Sequence, residues 1–96
     1  MPSNKEYLDY VLDLLREVNG ISYKKMMGEY VLYKDNIVFG GIYDNRFLIK
    51  KCSYSESLNL KEIIPYPTSK GLYLIDIENP DEIKEIVLSL VKDLKE

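Results

Sequence analysis

Histidine and tryptophan are absent from this sequence, and cysteine occurs once, as Cys52. Without histidine, the commonest general base and the commonest metal ligand are both missing. A lone cysteine closes no internal disulfide and builds no zinc cluster. Catalytic triads, Cys–His dyads and zinc hydrolases are thereby excluded, and neither a metal nor a cofactor is expected. Long apolar runs are missing too, none approaching the ~20 residues of a membrane span. The first residues lack the apolar core of a signal peptide, so a cytoplasmic location is expected.

What is present is ordinary in amount. The chain has 96 residues, 46% of them hydrophobic and 30% charged, which suits one globular domain spanning 1–96. Placement is less even. The net charge of −3 averages acidic ends with a middle, residues 21–51, that carries six basic and three acidic groups. That middle is either solvated surface or an anion-binding face.

Leu8, Val11, Leu12, Leu15 and Val18 recur at helical spacing, with Tyr7, Tyr10 and Leu14 widening the stripe. Ser3 and Glu6 have capping-box spacing, and Asn19-Gly20 supplies a stop. Four runs rich in β-branched and aromatic residues follow, predicting strands at 21–26, 30–34, 37–43 and 47–51. Their connections hold Gly28, then Lys34-Asp35-Asn36, then Asp44-Asn45-Arg46, all suited to tight turns between antiparallel neighbours. Ser53 to Glu56 predicts a short helix reaching about Leu60. Pro65 and Pro67 predict an extended loop, and 71–77 a last strand. Asn79-Pro80-Asp81-Glu82 is a helix start, followed by an apolar stripe from Ile83 to Leu94. The order is that of an α+β domain: a helix, a mostly antiparallel sheet of about five strands, and a closing helix.

Several groups in the middle bear on function. Gly40-Gly41 predicts a β-bulge or a close approach by an aromatic, with ligand approach as the alternative. Met26-Met27-Gly28-Glu29-Tyr30 reads as core filler plus a turn, or as a methionine-lined pocket. Tyr23, Tyr30, Tyr33, Tyr43 and Tyr73 fall on strands; with Lys24, Lys25, Arg46 and Lys50 they suggest a stacking surface for single-stranded nucleic acid, if one face gathers them. Strict alternation in the third strand sets Ile37, Phe39 and Tyr43 against Val38 and Ile42. Both faces are then apolar, and the outer one needs cover by the Pro65–Pro67 loop, a second copy or another protein. Glu29, Asp44 and Arg46 form no recognisable active site and are expected to bridge a turn. Cys52, beside Lys50 and Lys51, is expected to be a small apolar filler.

The segment Lys25-Met26-Met27-Gly28-Glu29-Tyr30-Val31-Leu32-Tyr33, followed by Gly40-Gly41-Ile42-Tyr43-Asp44-Asn45-Arg46-Phe47-Leu48-Ile49-Lys50, resembles the N-terminal domain of the TfoX/Sxy family of bacterial competence regulators. That family shows Arg/Lys-Met-Phe-Gly-Gly/Glu-Tyr-x-Leu-Tyr, an apolar strand, then Asp-x-x-Leu-x-x-Lys, so Met27 stands where phenylalanine is usual. The resemblance implies a helix–sheet–helix fold similar to type III secretion chaperones. It also implies regulation through protein contacts, which in two-domain members means transcriptional co-activation with the cyclic-AMP receptor protein. The second domain is not matched here. The expected function is a non-enzymatic interaction or regulatory domain with a protein partner or a second copy of itself. A nucleic-acid-binding accessory using residues 21–51 is the alternative.

Overall fold

The computed structural model describes residues 4–64 and 71–95. Ser3 and the Pro65–Pro67 loop lie outside the described residues. Helix α1 spans Lys5–Leu14. Its cap is Asn4 rather than Ser3: Asn4 Oδ1 accepts the Tyr7 backbone N–H at 2.8 Å, satisfying one of the donors a helix start leaves open. The helix ends at Leu14, earlier than the apolar spacing predicts, and tight turns carry the stripe onward. Leu15 and Val18 are thus buried although they lie outside the helix.

Six strands follow: β1 Ile21–Met26, β2 Glu29–Lys34, β3 Ile37–Ile42, β4 Phe47–Ile49, β5 Glu62–Ile63 and β6 Leu72–Leu74, with α2, Ser53–Glu56, between β4 and β5. All pairings are antiparallel, in the order β1-β2-β3-β4-β6-β5. Two-residue turns join the first four strands, at Met27-Gly28, Asp35-Asn36 and Asp44-Asn45. All six turn residues have positive φ. Two successive positive φ values mark the type I′ turn, whose twist matches that of the strands it joins.

Helix α3, Pro80–Lys95, closes the domain. Its start follows the sequence signal: Asn79 Oδ1 accepts the N–H of Asp81 at 2.9 Å. Both α1 and α3 cover one face of the sheet. Leu8, Val11 and Leu15 meet Leu32, Phe39, Ile42, Phe47 and Ile49 there, beneath Ile83, Val87 and Leu90 of α3.

The strict alternation expected in β3 is broken. The β2–β3 register pairs Leu32 with Gly40 but Tyr33 with Val38, leaving Phe39 as an extra residue. This bulge brings Phe39 and Ile42, three positions apart, into the same core beneath the helices. Ile42 therefore leaves the outer face, and Tyr43 joins it, its ring lying over Gly41. The outer face of β3 holds Val38 and Gly41 rather than a second apolar row, beside the fully buried Leu48 of β4.

Strand β5 has no sequence signal, being two residues long, and β6 is shorter than the predicted strand at 71–77. In α2 the cap is Cys52, one residue earlier than predicted. Ser55 Oγ accepts the Cys52 N–H and donates to the Lys50 carbonyl, both at 2.8 Å. Asp93 of α3 accepts the Tyr54 N–H at 3.1 Å. The Cys52 thiol, then that N–H, holds the Asp93 carboxyl below the usual aspartate value. Cys52 is half-buried against the core, consistent with apolar filler, and it also orders a helix end.

Candidate interaction surface

Strand β1 is the most exposed part of the sheet: every residue from Ser22 to Met26 is exposed. It is also an end of the sheet. The Asp35 N–H donates to the Gly20 carbonyl, which sets the phase of the β1–β2 ladder. Counting from there through the register, Ser22, Lys24 and Met26 exchange backbone bonds with β2. The N–H and C=O groups of Ile21, Tyr23 and Lys25 consequently face outwards.

The turn that ends β1 is unlike its two counterparts. Asp35-Asn36 and Asp44-Asn45 use residues that tolerate left-handed backbone. The first turn instead places Met27 at φ +54°, with its side chain 93% exposed. A left-handed conformation costs an ordinary L-residue about 1–2 kcal/mol. No apolar contact compensates at that exposure. Met26 is 52% exposed as well. The expectation that these methionines fill the core is therefore wrong for both, while Gly28, at φ +83°, makes the turn as expected. Met27→Asn should raise stability by about 1 kcal/mol, read as a higher urea midpoint at unchanged slope.

On the outer face beside this edge lies a shallow depression lined by Ser22, Tyr23, Lys24, Tyr33 and Asn36. On the helix face Tyr23 packs edge-on against Tyr30, with ring centroids 5.9 Å apart.

The other residues singled out in the sequence have separate fates. Tyr30 is buried in the core and offers no binding surface. Tyr43 is half-buried over Gly41, so the aromatic approach expected at the paired glycines is what occurs. Glu29 is buried, and its Oε2 accepts the Asp44 N–H at 2.9 Å. It thereby ties the start of β2 to the β3–β4 turn. Arg46 Nε donates to the Tyr43 carbonyl at 3.3 Å. Lys34 donates to the Asn19 carbonyl and to Asp35, and Lys51 pairs with Glu62 beneath a cation–π contact to Tyr73. Lys24, Lys25 and Lys50 remain exposed. Lys24 pairs across from Val31 while Tyr23 pairs across from the core residue Leu32, so Lys24 and Lys25 lie on opposite faces. The tyrosines and lysines of β1 and β2 are thus divided between the two faces of the sheet rather than gathered on one.

A second concavity sits between α1 and the segment after β6, lined by Tyr7, Tyr10, Asp76 and Glu78 among others. The Tyr7 and Tyr10 rings are 5.6 Å apart. Both phenols sit above the ordinary tyrosine value, Tyr7 through burial and then Tyr10, and Tyr10 through desolvation and then the Glu78 and Asp76 carboxylates. Among the described residues no three His, Cys, Asp or Glu side chains group as metal ligands, and no helix is long and apolar enough to cross a membrane. Compared with known proteins, the chain matches no family model and no curated protein.

Proposed function

We propose that this domain is a non-enzymatic interaction module acting through protein–protein contacts, with the β1–β2 hairpin as its contact surface. The observation that carries the reading is Met27. Two of the three tight turns use Asp-Asn, whereas the third holds a methionine in a costly backbone conformation and extends it into solvent. Strain retained where a cheaper residue exists points to use of the side chain, and methionine is an adaptable apolar contact. Met26 and Tyr23, on opposite faces of the same hairpin, are exposed as well. The resemblance of residues 25–50 to the TfoX N-terminal domain supports a regulatory setting, in control of transcription.

The test places a photoreactive benzoylphenylalanine at position 27, and as a control at Asp9 on α1, in the full chain. Crosslinking in a bacterial lysate should yield a discrete adduct from position 27 and none from position 9. Met27→Asn added in competition should be a poor competitor although it is more stable. Identical adducts at both positions, or no adduct at 27 from a chain that light scattering shows to be a monomer, would sink the reading.

A further inference from the structure

The outward backbone groups of Ile21, Tyr23 and Lys25 recur at every second residue along β1. Such a row is complementary to another extended backbone and to little else. We propose that the outer edge of β1 receives an acidic, extended peptide segment as an added strand. Its backbone pairs with Ile21, Tyr23 and Lys25, and its carboxylates meet Lys24 and Lys25. The proposal rests on the interaction reading above and gives the partner its chemistry.

Three features define that occupant. Pairing through alternate residues requires a segment extended at ~3.4 Å per residue, so a helix does not fit. Lys24 and Lys25 are exposed on opposite faces of the sheet, so an incoming strand meets a positive charge on each of its own two faces. Acidic side chains at neighbouring positions answer both. The depression between Ser22, Lys24 and Tyr33 then accepts one alternate side chain on the outer face. A second copy of this chain is disfavoured as occupant, because it would carry its own Lys24-Lys25 pair into the same seam. Lysine on an edge strand is a common guard against such self-pairing.

The experiment titrates the 15N-labelled full chain with a blocked peptide that repeats Val-Thr-Glu-Glu, whose adjacent glutamates fall on opposite faces of an extended strand. The amides of Ile21, Tyr23 and Lys25 should shift and become protected from hydrogen exchange, while those of Ser22 and Lys24 keep the protection that β2 already provides. Lys24→Glu with Lys25→Glu should weaken binding by about tenfold, and the same peptide with lysine in place of each glutamate should not bind. Lys25→Pro removes an outward N–H together with the Lys25 charge and should abolish binding with the hairpin intact, whereas Lys25→Ala, which removes the charge and keeps the N–H, should only weaken it. Should the proline variant not fold, N-methylation of alternate peptide residues tests the same bonds.

Silence of the three amides at millimolar peptide, equal binding of the lysine peptide, or the same shifts produced by an oligothymidylate each overturns the proposal. So does concentration-dependent protection of these amides without peptide, which would identify a second copy as the occupant. A position-27 crosslink with silent β1 amides removes strand addition and leaves the interaction reading standing; loss of both removes both.

Discussion

Gly40→Ala should leave little folded protein. A Cβ at this position would lie 2.2 Å from the Leu48 carbonyl oxygen and 3.0 Å from the Ile49 Cα. Both atoms belong to the backbone of β4, which is held in register by β3 on one side and β6 on the other. The clash is relieved only by parting β3 from β4, so the cost should exceed the ~1–3 kcal/mol typical of overpacking. For a domain stable by ~5–15 kcal/mol, that shows as a steep fall in melting temperature or loss of the cooperative transition. Gly71→Ala is the control. There the new methyl would meet the Glu62 side chain rather than backbone; Glu62 can turn away at the expense of its exposed pair with Lys51, and the change should stay within about 1 kcal/mol. Equal effects at the two glycines would show that the bulge geometry at Gly40 is not as described.

Phe39→Ala should cost about 3–5 kcal/mol, the range for emptying a large core site. Phe39 is fully buried among residues from both helices and the sheet. It is also the extra residue of the bulge, whose register shift lets Ile42 share the core face with it. Removing the ring leaves a cavity where the register shifts. Chemical denaturation should give a lower midpoint, and exchange protection in β3 should fall more than in β6. A loss below about 1 kcal/mol would mean that the core closes over the vacancy.

These two residues also show where sequence reading stops. Local signals did carry the four-strand meander and the start of α3. Ile21–Met26 is a short run with β-branched and aromatic residues between Gly20 and Gly28, and Asn79-Pro80 combines a capping side chain with a residue that belongs in the first helical turn. Such signals act within a few residues, which is the range over which a pattern can be read. The bulge is decided by pairing between β2 and β3, so nothing near Phe39 announces it beyond the two glycines that follow. The Ser3 and Ser53 caps failed by one residue each: Asn4 is as good a cap as Ser3, and at α2 Ser55 takes the Cys52 N–H, which moves the start one residue earlier. Strand β5, two residues long, exists only because β6 offers it an edge.

The candidate surface was partly legible. Gly28 was readable as a turn and Lys24-Lys25 as exposed charge. Methionine composition pointed inwards, because most methionines are buried, and only the paired positive φ values reveal that Met27 stands at a tip. The strands predicted at 21–26 and 30–34 left Met27, Gly28 and Glu29 between them; pairing of Glu29 with Met26 shortens that connection to two residues and so puts Met27 in the turn.

The three two-residue turns have a consequence in time as well as in shape. Each joins strands that are neighbours in sequence, so β1 to β4 can zip together at the microsecond pace of isolated hairpins. By contrast, β4 and β6 lie far apart in sequence, and α1, too short to be stable alone, is held by burying its face on the finished sheet. Low contact order in the meander and higher contact order at its far edge divide the folding barrier unevenly. The strand left open at the sheet's edge thus belongs to the part of the domain that assembles first.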